Sequence, residues 1–190
     1  MRPFALCFWI DLFSRTSTRD DRRKRLDLSS QAHLRGWHAF YPSGPEGITL
    51  RMCGRFTRQY TWREIWELYQ LTSTPSNIQP RFNICPTTTV DVVILGDDKR
   101  ALVPMRWGLI PNWWKKPLKE MRLATFNARA ETIGEKPMFR DSFKRRRCLM
   151  PVSGYYEWHT TPEGKQPYYF TRRDGQVMTI AAIQDAWIDP

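Results

Sequence analysis

Beyond Met52 the apolar positions fall into two periods. Trp62, Ile65, Trp66 and Tyr69 recur at helical spacing on one face, and Thr61 followed by Glu64 is a capping-box pattern; together they predict a helix from about Trp62 to Leu71. The remaining runs are strand-like. Val90 to Leu95, ended by Gly96-Asp97-Asp98, and Ala101 to Trp107 read as a hairpin. A second hairpin is predicted from Tyr168 to Thr171, through a turn carrying Asp174-Gly175, to Val177 to Ile183. Arg147 to Val152 and Tyr155 to His159 look like strands separated by Ser153-Gly154, and alternation along the latter sets Glu157 opposite Tyr156 and Trp158. His159 shares the Glu157 face and reads as the exposed start of a turn from Thr160 to Lys165; Trp107 and Trp158 read as core. No internal repeat and no parallel βαβ alternation is present. The class is α+β.

The first 51 residues carry nine basic and five acidic side chains, a charged cluster from Arg19 to Arg25 and a Gly/Pro-rich stretch from Tyr41 to Gly47. No helical or strand period persists through them. They are expected to be a disordered extension or residues ahead of the true start. A mitochondrial targeting peptide is opposed by Asp11, Asp20, Asp21 and Asp27.

Composition changes this picture in four ways. The chain has 190 residues, of which 41% are hydrophobic, which fits one domain with a real core and argues against wholesale disorder. Its longest apolar run, Ala5 to Ile10, is six residues, far short of the roughly 20 that span a bilayer, so a cytoplasmic protein without membrane contact is expected. The net charge of +11 calls for an anionic partner, nucleic acid first. The basic run Lys144 to Arg147 adds diffuse attraction as a solvated edge. Four cysteines without a Cys-x-x-Cys pair, and only three histidines, leave no zinc-type spacing. No metal or other cofactor is expected.

Of the cysteines, Cys53 has a distinctive setting, directly after Met52 and before Gly54-Arg55-Phe56. If translation begins at Met52, loss of that methionine makes Cys53 the first residue. Its α-amine (pKa about 7.7–8.0) and thiol (about 8.5) would then be two nucleophiles on adjacent carbons. An amine condenses with an aldehyde to a Schiff base, and the thiolate can close on the imine carbon to give a thiazolidine. A ring-opened abasic deoxyribose offers such an aldehyde, on a polyanion.

Met52-Cys53-Gly54-Arg55-Phe56, Arg81-Phe82-Asn83-Ile84-Cys85-Pro86, Arg106 to Trp114, Phe126 to Thr132, Ser153 to Trp158 and Lys165 to Tyr169 resemble, in order, the motif set of the SOS-response-associated peptidase (SRAP) family. The resemblance covers residues 52–190 and nothing before them. It implies a mixed, mainly antiparallel twisted sheet, barrel-like, with short peripheral helices, and a monomer is expected. It also implies capture of abasic sites in single-stranded DNA during the DNA damage (SOS) response, by a protein that is cytoplasmic and nucleoid-associated when acting on DNA. By the same resemblance Cys53 is the catalytic cysteine, Asn127 positions its α-amine, and Glu157 is the acid/base. Arg55 and Arg129 would hold phosphates beside the lesion, and Asn83, Pro86, Trp113 and Trp114 belong to the surface over which bases splay and stack. The residues alone leave duller roles open: Asn127 capping a turn, Arg129 paired with Glu131, Cys53 a buried hydrophobe.

Two departures from the family bear on function. Any residue joined to Cys53 turns its α-amine into an amide, so the preceding residues must be absent or removed; the family's peptidase name implies self-processing that would use Cys53 and Glu157. The family's His-Asp-Arg-Met-Pro-like segment has no match here, and the domain is expected to be incomplete at its C-terminal end. A thiol autopeptidase without a DNA substrate, and an inactive nucleic-acid-binding fragment, are the competing expectations.

Overall fold

The computed structural model describes the backbone of residues 2–7 and residues 54–190. In chain order these hold β1 (Arg2–Cys7), β2 (Arg55–Arg58), α1 (Trp62–Tyr69), β3 (Arg81–Ile84), β4 (Thr89–Gly96), β5 (Lys99–Trp107), α2 (Arg140–Arg145), β6 (Arg147–Val152), β7 (Gly154–Thr161), β8 (Gly164–Phe170) and β9 (Met178–Trp187). The strands form two sheets: a closed barrel in the order β1-β5-β4-β6-β9, and a four-stranded sheet in the order β3-β2-β7-β8. Every pairing is antiparallel except β1 with β5. This is the α+β, mainly antiparallel barrel expected from the sequence. Among the described residues no helix is long and apolar enough to cross a membrane.

Local chemistry accounts for the elements read correctly. In α1 the Thr61 hydroxyl accepts from the Glu64 amide at 3.3 Å and the Glu64 carboxylate accepts from the Thr61 amide at 2.6 Å, so two otherwise orphaned donors are satisfied. The helix stops at Tyr69 because Gln70 takes a left-handed conformation (φ 51°), two residues earlier than periodicity suggested. Ile65 and Tyr69 bury themselves with Tyr60, Leu71 and Val93 on the outside of the barrel, whereas Trp66 is left 47% exposed. The β4–β5 hairpin turns through Asp97 and Asp98, both at positive φ (46° and 58°), as a two-residue hairpin loop of the primed type demands.

The second predicted hairpin does not exist. β8 pairs with β7, from Tyr155↔Phe170 to Thr161↔Gly164, while β9 pairs with β6 and β1 in the other sheet. Turn residues encode a reversal but not the sheet that the chain enters afterwards. Here Asp174 and Gly175 cap a corner, with the Asp174 carboxylate held by Arg172 at 2.6 Å. Packing then decides: Phe170 stacks on Tyr155 at 5.1 Å, and Ile180 and Ala182 turn into the barrel core. His159 is likewise inside β7, opposite Gln166, and not at the start of a turn. Residues 2–7, in which the sequence offered no strand period, form β1 between β5 and β9; residues 8–53, with the rest of the expected extension, lie outside the described residues.

The main core fills the barrel and the adjoining face of the small sheet, with Phe56, Ile84, Val92, Trp107, Met150 and Tyr155 among its members. Trp107 is 1% exposed, as expected of core. Trp158 is not: it is half-buried, on the opposite face of β7 from Tyr155 and Glu157. Cys148 belongs to the core, where burial pushes its thiol up to about 12, so it is a packing residue and not a nucleophile.

Gly154, at the start of β7, allows the Tyr169 ring to lie directly over the backbone. A Cβ there would sit 2.5 Å from the Tyr169 ring and 2.7 Å from the Phe170 carbonyl oxygen. Because one clash is with backbone, the β7–β8 pairing must shift. Gly154→Ala is therefore expected to cost about 1–3 kcal/mol, read as a lowered urea midpoint.

Candidate active site and nucleic-acid interface

Cys53 lies outside the described residues; the next residue, Gly54, leads into β2 at Arg55. The β2–β3 pairing (Phe56↔Ile84) places Arg55 beside Asn83. The Arg55 guanidinium donates to Asn83 Oδ1 at 2.5 Å and rests 5.9 Å from the centre of the Trp158 ring, a distance at which a cation is attracted to the ring face. Asn83 Oδ1 also lies 3.7 Å from the Cys85 thiol. Two of the residues predicted to meet DNA thus form one cluster, with an aromatic neighbour that the sequence had assigned to the core.

Glu157 lies on the other face of the same sheet. Arg55 pairs with Tyr156 across β2 and β7, so alternation sets Glu157 on the face opposite Tyr156 and Trp158, as the sequence predicted; that it is this face, and not the one carrying Trp158, that turns inward was not predicted. It is only 7% exposed. Loss of hydration disfavours its charged form, and burial lifts its carboxyl from the usual carboxylate range to about 7. A carboxyl so placed exchanges a proton near neutral pH, which suits an acid/base role.

Asn127 follows the segment Thr125-Phe126, which two contacts fix to the barrel: Leu109 N–H donates to Thr125 O at 3.1 Å, and the Trp107 indole donates to Phe126 O at 2.8 Å. Asn127 is half-buried and Arg129, two residues on, is exposed. A half-open cleft of about 330 Å³ separates this segment from Pro86, with Arg106, Trp107, Met121 and Phe126 also on its walls. Gly108, at φ +123°, lets the Arg106 side chain fold back beside it and donate to its carbonyl at 3.1 Å.

Trp113 and Trp114 differ in their surroundings. Trp113 is 45% exposed, whereas Trp114 packs against Ile110 and Trp187 beside Leu118 and Met121. Their ring centres are 6.5 Å apart. β9 holds both ends of this loop. Asp185 Oδ2 accepts from the Asn112 amide at 3.0 Å, and the Trp187 indole donates to Trp114 O at 2.8 Å. Asp185 is buried and also pairs with Arg146 and accepts from Ser142.

Asp185 was not a sequence candidate. Its signal was an acid within the apolar alternation of β9. Asp185→Ala is expected to cost about 2 kcal/mol, below the figure for a fully buried pair because Arg146 retains solvent. The exposed Trp113 fluorescence should redshift as the loop loosens. Among the described residues, no group of three or more His, Cys, Asp or Glu side chains converges as metal ligands would.

A closed barrel flanked by a small antiparallel sheet that carries a buried carboxyl on one face and an arginine beside an aromatic ring on the other defines an α+β domain. Residues 52–190 match the family model described as SOS response associated peptidase (SRAP), and the chain belongs to that family. It is 33% identical over 137 residues to the abasic site processing protein YedK of Escherichia coli, covering 70% of this chain and 59% of that protein. It is 31% identical over 142 residues to the abasic site processing protein YoqW of Bacillus subtilis, covering 73% and 62%. To the abasic site processing protein HMCES of Xenopus tropicalis it is 32% identical over 139 residues, covering 59% of this chain and 42% of that one. The chain therefore spans less than two thirds of the length of these relatives. Among solved structures, a protein from Bacteroides thetaiotaomicron superposes with a TM-score of 0.63 at 29% identity, over 72% of this chain and 62% of that one.

Proposed function

We propose that this protein captures abasic sites in single-stranded DNA covalently through Cys53, with Glu157 as the proton carrier. The supporting observation is the Glu157 carboxyl, buried and lifted to about 7, in a domain whose relatives are named for abasic site processing.

The chemistry runs in two bond-forming steps. The free α-amine of Cys53 adds to the aldehyde carbon of the ring-opened sugar, and the resulting hydroxyl leaves as water, giving an imine. Protonated Glu157 supplies the proton that lets this water depart. The Cys53 thiolate then adds to the imine carbon while the nitrogen takes up a proton, closing a thiazolidine. Overall, one water is lost. Asn127 orients the amine, Arg55 and Arg129 hold flanking phosphates, and Asn83, Pro86, Trp113 and Trp114 line the route of the bases.

The 52 residues written ahead of Cys53 would keep its nitrogen acylated, so their removal is part of the proposal. The chain begun at Met52 should form an SDS-resistant adduct with a single-stranded oligonucleotide bearing one abasic site, and none with the intact strand. Equal adduct yield from Cys53→Ala would refute the assignment. Mass spectrometry of the full chain tests self-processing separately: the product should begin at Cys53, and an intact N-terminus after long incubation argues against it.

A further inference from the structure

β1 lies outside the residues that match the family model, which begin at residue 52, yet it is one of the five strands of the barrel. It runs antiparallel to β9 over six positions, from Arg2↔Trp187 to Cys7↔Ala182. It runs parallel to β5 at Phe4↔Arg106 and Ala5↔Trp107. β6 also pairs with β9 over six positions, so β1 covers β9 along as great a length as a strand of the family region does. The two divide β9 between them, β6 from Met178 to Ile183 and β1 from Ala182 to Trp187.

The backbone of β1 suits this slot. Gln184 N–H donates to Arg146 O at 2.8 Å, on the β6 side of β9. Backbone donors alternate between the two edges of a strand, so the Ile183, Asp185 and Trp187 amides face β1, opposite Leu6, Phe4 and Arg2. Pro3 falls opposite Ala186, whose N–H donates to Asp185 Oδ1 at 2.7 Å, and the β5 pairs begin only at Phe4. The proline of β1 therefore stands where neither neighbouring strand requires an N–H.

Both edges that β1 bridges support the candidate site. β9 supplies Asp185 and Trp187, which hold Asn112 and Trp114. β5 ends at Trp107, whose indole donates to Phe126 O beside Asn127. Withdrawing β1 would leave that scaffold with two bared strand edges, which act as templates for unwanted pairing.

We propose that the slot between β5 and β9 is a peptide-binding site whose occupant is Arg2–Cys7 of this chain, and that it stays occupied after the chain is cut ahead of Cys53. The processed protein is then two pieces without a covalent link, the freed one added to the sheet as a strand. That such a cut occurs rests on the function proposed above; the fit of β1 between β5 and β9 does not.

The test makes the cut independently. A recognition sequence for a specific protease is inserted between Gly47 and Ile48 of the 190-residue chain, and the folded protein is cleaved. Gel filtration at about 1 μM should keep both pieces in one peak, as a Kd below that concentration requires, and guanidinium should separate them. Amide exchange at Asp185 and Trp187 should change by less than about tenfold on cutting. Leu6→Pro removes the donor opposite Ile183 and puts a ring into the ladder. Once cut, this variant should lose its N-terminal piece, with exchange at Asp185 and Trp187 faster by at least about 100-fold.

The wild-type result decides the matter even where the proline variant fails to fold. Release of the N-terminal piece from the cut wild type would overturn the proposal, whether the remainder stays monomeric or pairs with a second copy through its bared edges. Retention with unprotected Asp185 and Trp187 amides, or retention by folded Leu6→Pro, would overturn it too, since the piece would then be held elsewhere. If the piece is retained with those amides protected and no adduct with abasic DNA forms, the strand assignment stands and the capture reading alone is lost.

Discussion

Glu157→Gln is expected to slow covalent capture by about 10²–10⁴-fold and, at pH 8, to melt at a higher temperature than the wild type. Both effects follow from the burial that lifts this carboxyl to about 7. Unfolded, the group titrates near 4.3, so the native state holds its proton more tightly. Its contribution to stability is present below the unfolded pKa and is lost as pH rises through about 7, where the ionised carboxylate must stay buried. Glutamine has nearly the same shape and no charge. The variant should be more stable by about 1–3 kcal/mol at pH 8 and show no such gain at pH 4.

The rate profile carries the complementary signature. Capture needs Glu157 protonated and the Cys53 amine deprotonated, so the wild-type rate should fall on both sides of a maximum between pH 7 and 8. In Glu157→Gln only the amine limb remains, and the rate should rise and level off. Coincident melting curves and an unchanged alkaline limb would remove Glu157 from the mechanism.

Cys53→Ala is expected to abolish the heat-stable adduct entirely when the chain begins at position 53. The α-amine survives in this variant, so an imine can still form, but without sulfur it cannot close to the ring. Borohydride should therefore trap an adduct with the alanine variant that is not seen without reductant. The wild-type adduct should need no reductant. Gel analysis of the four combinations checks this, and a stable alanine adduct without borohydride would contradict it.

What the sequence made legible was mostly local. The Thr61–Glu64 cap, the Asp97-Asp98 turn and the opposition of Glu157 to Tyr156 and Trp158 depend on residues within a few positions of each other, and all three match the structure. Sheet membership was not legible. The segments at Tyr168 and Val177 looked like one hairpin, yet they enter different sheets, because Tyr155 and the barrel core, far away in sequence, select their partners. Trp158 looked like core for a related reason: its half-exposed face depends on Arg55 arriving from a strand about a hundred residues earlier. Asp185 carried a visible anomaly, an acid in an apolar strand, but its partners Asn112, Ser142 and Arg146 are joined only by the fold.

Of the candidate site, Arg55 and Asn83 meet directly, and Pro86 faces the segment that leads into Asn127 across the cleft. The motif order could suggest that these residues act together but could not divide them between two faces of one sheet. Arg55 on the outer face and Glu157 on the inner one put the residues proposed for phosphate holding and for proton transfer on opposite sides of a single strand pair.

The most direct measurement is the mass and position of the linkage in the conjugate between the chain beginning at Cys53 and an abasic oligonucleotide. The account requires the two masses combined less one water, mapped to the N-terminal peptide and unchanged by borohydride. A linkage on a lysine, or one that takes up hydrogen from borohydride, would contradict it.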